Sequence, residues 1–401
     1  METELIIREK YLNKVKPFIQ KPIIKVFTGQ RRVGKSYIMR QTIQQIEKKD
    51  KRGKIIYINK ENVEFNSIAT STDLLEYISQ HSTKSIRNYI FIDEIQEIKD
   101  FEKGMRSLLL NPAYDLYCTG SNANMLSGEL STLLSGRYIE IPVYSLSYPE
   151  FLIFHGLKNQ EASMKKYLKY GGMPFLKHLE LKDEIVYDYL KGILSSVMFR
   201  DVILRNKIRN SAFLENLIEF LADNTGQLFS ARKISEYLKS QRIQITTAQI
   251  IKYIHYLTSS FFINKVQRQD IVGKKIFEIG EKYYFEDVGI RNTISNYKQT
   301  DIGKIIENVV YKHLKYNNFE VKVGQTGPYE IDFVAEKQGE KLYIQTCYLL
   351  HDQATIDREF GNLERIKDNY PKMVISMDQF TGNTFNGIQH LQLRDFLSME
   401  L

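Results

Sequence analysis

The sequence predicts an α/β protein whose first third is a parallel-sheet core built around a phosphate-binding loop. Three observations predict it. Short apolar runs alternate with helix-like runs up to about residue 155. The first apolar run leads into Gly29-Gln30-Arg31-Arg32-Val33-Gly34-Lys35-Ser36, which fits G-x-x-x-x-G-K-[ST]. A later run, Tyr89–Ile92, ends in the acids Asp93 and Glu94.

Strands are expected at Ile23–Thr28, Ile55–Asn59, Tyr89–Ile92, Leu116–Thr119 and Tyr138–Val143. From about 160 to 260 the pattern turns helical. Apolar residues recur every three or four positions in Ala212–Leu221, Ile234–Leu238 and Ile250–Leu257. A hairpin is expected between Phe261 and Phe285, turning near Gly273–Lys275. Beyond Thr300 comes an amphipathic helix, Gly303–Tyr316, and then strands at Glu320–Val323, Glu330–Ala335 and Lys341–Tyr348. The expected divisions are 1–155, 156–210, 211–295 and 296–401.

Composition bounds the function classes. The 401 residues exceed what one core holds, about 250–300. Hydrophobic residues at 43% and charged residues at 26% exclude a disordered chain. No run approaches ~18 apolar residues, so no membrane span is expected. The N-terminus lacks the apolar stretch of a signal peptide. Two distant cysteines, Cys118 and Cys347, support neither a disulfide framework nor a cysteine zinc site, and a cytoplasmic setting is expected. The net charge of +8 permits a polyanionic partner without requiring one.

The motifs point to ATP with Mg²⁺. Gly29 and Gly34 allow backbone geometry that a Cβ would block, so that successive N–H groups cradle phosphates at a helix start. Lys35 is expected on the β- and γ-phosphates and Ser36 on Mg²⁺, with the nucleotide stretch running from Gly29 to Tyr37. Arg31 and Arg32 are phosphate contacts or plain solvated charges. Asp93 is expected to hold the metal through its water shell, and Glu94 to polarise the attacking water. After Leu116–Thr119, Asn122, or else Ser121, would position water or sense the γ-phosphate; a helix N-cap before Met125–Leu126 is the alternative. Arg137 is a candidate arginine finger, in cis or in trans, or a structural ion pair.

These segments resemble a large bacterial and archaeal family of AAA-type ATPases with a C-terminal domain of unknown function. The resemblance is carried by FTGQRRVGKS, YIFIDEIQEI, LYCTGSNANML, LLSGRYIEI, YSLSYPEFL, YLKYGGMPFL, FLADNTGQLFSARKISEYL, YYFEDVGIRN and IIENVVYKHL, in order along nearly the whole chain. It implies a P-loop NTPase core, a helical lid, a winged helix and a small C-terminal α/β domain similar to restriction endonucleases.

Gly171-Gly172 would then be the lid's hinge or simple helix punctuation. Residues 191–209 hold Lys191, Arg200, Arg205, Lys207 and Arg209 against Asp201, as a basic patch or a solvated face. In a winged helix capped near Ser230, Thr246, Thr247, Gln249 and Lys252 would open the recognition helix. Arg232, Lys233, Arg242, Lys274 and Lys275 would meet phosphates. In the last domain Asp332 and Gln345 match the nuclease pattern, with Glu307 as the further acid that could share a metal, but Cys347 stands where that pattern has lysine, so a degenerate fold used for binding or assembly is expected. The function expected is an ATP-hydrolysing switch whose winged helix docks double-stranded DNA or a protein. An ATP-gated nuclease and a nucleotide-holding regulator without turnover are the alternatives, and assembly as a homo-oligomer is left open.

Overall fold

The computed structural model describes residues 6–123, 134, 136–240, 243, 245–271, 280–350, 352–379 and 384–401. They divide into two units, Met1–Tyr144 with Ser259–Phe261, and Ser145–Thr258 with Phe262–Leu401. The expected helical stretch 156–210 lies wholly in the second unit.

The first unit contains β1 (Ile24–Thr28), β2 (Lys54–Asn59), β3 (Asn88–Asp93), β4 (Tyr114–Gly120) and β5 (Tyr138–Pro142). Their order is β2-β3-β4-β1-β5, and every pairing is parallel. Helices α1 (Glu9–Val15), α2 (Lys35–Lys49), α3 (Ser71–His81) and α4 (Phe101–Leu109) connect and flank them. Alternation sorts the side chains. Ile24, Val26, Ile56, Ile58, Ile90, Ile92, Leu116 and Cys118 share one buried cluster. Phe91 stacks on Tyr117 with ring centroids 4.3 Å apart.

Lys25 and Asp115 are ion-paired with no exposure at all, and the carboxylate also accepts from the Gln20 N–H and the Tyr117 hydroxyl at 2.7 Å each. Those partners make a fully buried charge pair tolerable. Because the strands are parallel, the loops after β1, β3 and β4 open at one edge.

The second unit carries an eight-stranded sheet ordered β12-β13-β11-β10-β9-β8-β6-β7. The strands are β6 (Ile263–Asp270), β7 (Glu281–Phe285), β8 (Glu320–Thr326), β9 (Tyr329–Lys337), β10 (Glu340–Thr346), β11 (Lys372–Ser376), β12 (Thr384–Phe385) and β13 (Ile388–Gln392). The expected hairpin exists as antiparallel β6 and β7, although its turn at 273–275 lies outside the described residues. A two-stranded hairpin is marginal by itself. Here β6 also pairs in parallel with β8, so one sheet crosses the expected 295/296 division.

This part of the chain forms α5 (Tyr148–His155), α6 (Glu161–Tyr170), α7 (Asp183–Ser196), α8 (Ser211–Asp223), α9 (Ala231–Ser240), α10 (Thr247–Ser259, its last residue in the first unit) and α11 (Val288–Ser295). They are followed by α12 (Ile302–Tyr316) and α13 (Gln353–Glu364). On α12, Ile305, Ile306, Val309, Val310 and Leu314 pack with Val323, Phe333, Ala335 and Ile344. Ser230 caps α9 by accepting from the Lys233 N–H at 3.3 Å. Among the described residues no helix is long and apolar enough to cross a membrane.

Two glycine-bearing motifs meet in this unit. Asp287 caps α11 by accepting from the N–H groups of Gly289 and Ile290, and its second oxygen accepts from the Gly172 N–H at 2.7 Å. A Cβ on Gly171 would stand 2.2 Å from Asp287 Oδ1, and one on Gly289 only 2.0 Å from the Tyr170 carbonyl oxygen. Asn292 donates to the carbonyls of Leu168 and Lys169 at 3.0 and 2.9 Å, closing the end of α6. Arg291, 1% exposed, donates to Ala222 O at 3.0 Å and pairs with Asp301 at 2.8 Å. Gly171-Gly172, expected as hinge or punctuation, is thus a close-packed joint. Gly289→Ala should lower stability by roughly 2–3 kcal/mol through overpacking, seen as a lower urea midpoint at constant m-value. Gly303→Ala, where a Cβ meets nothing within 4 Å, should be neutral or slightly stabilising.

Candidate phosphate-loop site

The loop between β1 and α2 is held in conformations that its sequence allows. Gly29 has φ +145°, and a Cβ there would lie 2.2 Å from the Val143 carbonyl oxygen. That approach is fixed by the Val143 N–H, which donates to Thr28 O at 2.7 Å. Gly34 caps α2 at φ +100°, and Arg32 stands exposed at φ +72°. Both glycines adopt backbone that a Cβ would strain.

Lys35 opens α2 and is buried. Its ammonium donates to the carbonyls of Gly29 and Gln30 at 3.0 Å each and lies 3.9 Å from Glu94 Oε1. Arg31 separates from Arg32: it is buried and pairs with Glu61 at 2.8 Å. Ser36 is half-buried, and Tyr37 is 54% exposed on the next helical position. Gln30 is 1% exposed, and among the described residues neither its amide oxygen nor its nitrogen has a partner. A buried, unpartnered amide beside two positive-φ glycines fits a loop built to take a polar ligand.

The acids sit at the adjoining edge. Thr119 on β4 donates its hydroxyl to Asp93 and accepts from the Glu94 N–H at 2.8 Å. Tyr57 on β2 donates to the other Asp93 oxygen at 3.1 Å. Glu94 is left-handed at φ +55°, a strained state for a residue with a side chain. Its carboxylate accepts from Gln96 Nε2 and from the Ser121 hydroxyl at 3.3 Å. Burial raises its pKa, but Lys35 and Arg31, with the Gln96 and Ser121 hydrogen bonds, outweigh burial and hold it below the ordinary value.

Gly29 through Ser36, Asp93 and Glu94 are therefore gathered at one edge. Ser121, just past the end of β4, joins them by donating to the Glu94 carboxylate. Asn122 is the next residue, half-buried, and the expected cap before Met125–Leu126 lies outside the described residues. Arg137 is not brought there. It precedes β5 at the level of Ile24, the start of β1, and its carbonyl accepts from the Ile24 N–H at 2.9 Å. The loop follows the other end of β1, about 13–16 Å away at 3.3 Å per residue. An arginine-finger role in cis is thereby corrected.

Sequence reading missed Arg8, Thr119 and Gln96. Arg8 is 4% exposed and donates to Val33 O and Tyr144 O at 3.0 Å each, bracing the loop from α1's N-terminal side. A lone arginine before a short helix carries no motif. Thr119 was open to discovery from the period of two, two residues before the candidate Ser121.

A second polar cluster lies in the other unit. Lys282 on β7, 1% exposed, bonds Glu307 and Glu330 at 2.7 Å each and lies 3.5 Å from Asp332. Tyr284 donates to Glu307 at 2.6 Å. Gln345 accepts from the Asp332 N–H at 2.6 Å and donates to Glu359 at 3.0 Å. Burial works against the Lys282 charge, but Glu307, Asp332 and Glu330 hold it well above the ordinary lysine value. Burial pushes Glu307 up to about 7, with Lys282 opposing and Asp332 adding. Burial also raises the Cys347 thiol. Of the expected recognition-helix residues, Thr246 and Gln249 bond each other in a reciprocal cap of α10, at 3.1 and 3.2 Å. Arg242, Lys274 and Lys275 lie outside the described residues.

With this geometry in place, comparison with known proteins is informative. Residues 21–152 match a family model described as an AAA domain, and residues 161–301 match a domain of unknown function. An uncharacterized protein of Haemophilus influenzae is 35% identical over 99% of this chain and 100% of its own length. The uncharacterized protein MJ1544 of Methanocaldococcus jannaschii is 31% identical over 86% of this chain and 79% of its own. Among solved structures, the replication initiator DnaA bound to AMPPCP and single-stranded DNA aligns at 13% identity. It covers 63% of this chain and 89% of that one, at a TM-score of 0.31. The S. cerevisiae Hsp104-ADP complex aligns at 17% identity, 64% and 40% coverage and 0.32. Scores of this size carry no inference about ligand or partner. The α/β core with its five parallel strands and phosphate loop is a P-loop NTPase fold, and the chain belongs to one family with its Haemophilus and Methanocaldococcus relatives, with an AAA domain over residues 21–152.

Proposed function

We propose that the chain is an ATP-hydrolysing switch whose second unit docks a DNA or protein partner. The observation that supports it best is the meeting of Lys35 and Glu94 at 3.9 Å beside the phosphate loop. Gly29 to Tyr37 receive the triphosphate, whose phosphates face the loop N–H groups and the start of α2. The Lys35 ammonium exchanges its two loop carbonyls for phosphate oxygens. Ser36 and Asp93 are the residues that would hold Mg²⁺, which when bound neutralises phosphate charge. Glu94 takes the proton of the attacking water. Its depressed pKa keeps it ionised at neutral pH, and Gln96 and Ser121 orient it. Of the two residues expected to position water, Asn122 and Ser121, the role is assigned to Ser121.

For the docking role the support is the net charge of +8 and the helices α8 to α10 with the pair β6–β7, the element order of a winged helix. The cap that ties Thr246 to Gln249 takes two of its four expected base-reading side chains, which favours a protein or a phosphate backbone over base readout. The nuclease alternative needs a metal among Glu307, Asp332 and Gln345. The Lys282 ammonium fills that cluster, which supports a role in binding or assembly.

Lys35→Ala should abolish tight ATP binding by calorimetry; unchanged affinity rejects the site. Glu94→Gln should bind ATP normally and release phosphate at least about a hundredfold more slowly; wild-type turnover would remove Glu94 as base. Arg8→Met frees the Val33 and Tyr144 carbonyls and should weaken ATP binding about tenfold, near 1.4 kcal/mol, while far-UV circular dichroism stays unchanged. Lys282→Met leaves three acids without their cation, and at pH 8 should lose roughly 3–5 kcal/mol of stability. A carboxyl raised in the folded state keeps its proton where the unfolded chain has lost it, so this variant's deficit should shrink as pH is lowered from 8 towards 5. Melting curves at pH 5.5 and 8 measure the difference, and plasmid incubated with Mg²⁺ or Mn²⁺ should stay uncut.

A further inference from the structure

A cavity of about 530 Å³ opens in the second unit, far in sequence from the phosphate loop. One wall is made where β10, β11 and β13 end. These three strands are mutually parallel, and Tyr348, Met377 and Gln392 lie at or just past their carboxyl ends. Crevices at the carboxyl ends of parallel strands are where α/β sheets take ligands. The volume is within the usual range for a small-molecule site, about 300–1,000 Å³.

The lining is also cationic. Lys165, Lys166 and Lys169 of α6 belong to it, against Glu161 as the acid of the lining. Lys165 pairs with Glu161 at 2.6 Å, but both side chains are about two-thirds exposed, so a ligand anion displaces that pair at little cost. Lys169 is fixed by Asp183 at 2.7 Å and lies 5.6 Å from the Tyr297 ring centroid. Lys166 has no carboxylate within 4.0 Å among the described residues.

Two half-buried tyrosines, Tyr297 and Tyr348, also line the cavity, packed against the core. The Tyr348 backbone is anchored, its carbonyl accepting from the Met377 N–H at 2.9 Å. Leu168 and Ile302 supply apolar lining. Ammonium groups for phosphates and aromatic faces for bases are the two parts by which proteins hold single-stranded nucleic acid.

We propose that this cavity takes a nucleoside phosphate, with Lys165 and Lys166 on the phosphate and the rings of Tyr297 and Tyr348 against the base. The source is either a free nucleotide or an unpaired strand, and the site stands whether or not the phosphate loop hydrolyses ATP. The test uses the full chain carrying Lys35→Ala, so that the loop contributes nothing. Binding of fluorescein-labelled dT12 is read by anisotropy and of AMP by calorimetry, at low salt. At least one probe should bind. Lys165→Ala with Lys166→Ala should weaken it about tenfold or more. Tyr348→Ala should weaken it about fivefold or more, and Tyr348→Phe should restore it. Lys48→Ala with Lys49→Ala, which removes the same charge from the end of α2, should change nothing. Tighter dT12 identifies a strand as the source, and AMP bound as tightly or tighter identifies a free nucleotide. The proposal is overturned if neither probe binds, if both double variants lose equally, or if Tyr348→Ala binds as well as Tyr348→Phe.

Discussion

The first unit's site rests on one insertion: β4 lies between the strand that leads into the phosphate loop and the strand that ends in the acids. Neighbouring strands are about 4.8 Å apart, so the two chain segments leave the sheet about 10 Å from each other. Two features close that gap. Lys35 reaches across from the first turn of α2, and the left-handed backbone at Glu94 turns its carboxylate back towards it. The intervening strand supplies the clamp. Thr119 accepts from one acid's N–H and donates to the other acid's carboxylate, which fixes Asp93 and Glu94 relative to each other. Strain at Glu94 persists because this hydroxyl, Gln96 and Ser121 over-determine it.

The second unit is knit by buried polar groups rather than by apolar packing alone. Asp287, Arg291 and Asn292 come from one short motif, and each satisfies backbone or charge on a different helix or loop. Such groups are hydrogen-bonded because burying them bare is costly, and each fixes a geometry that apolar contact would leave loose. That explains why glycine stands at 171 and 289: the joint leaves no room for a Cβ.

The cluster around Lys282 follows the same logic with higher stakes. Four acids, Glu307, Glu330, Asp332 and Glu359, lie close together, and Lys282 and Arg358 are the cations bonded to them among the described residues. Burial, with the neighbouring Asp332 carboxylate adding to it, raises Glu307 and Glu359 above the ordinary carboxyl value. The Lys282 ammonium offsets part of the acids' charge from within the protein itself.

The sequence by itself determined the first unit's strands, to within a residue or two at most ends, and the loop Gly29–Ser36 with Asp93 and Glu94. Those signals are local: alternation, a glycine spacing and acids closing an apolar run. Only the tertiary structure decided what crosses from element to element. Arg8 on Val33, Thr119 on both acids, Arg137 at the far strand end and Lys282 among acids of α12 and β9 all depend on which strands become neighbours. So does the sheet that runs on from β6 to β8. Strand order is set by long-range packing, and a chain read one residue at a time carries no term for it.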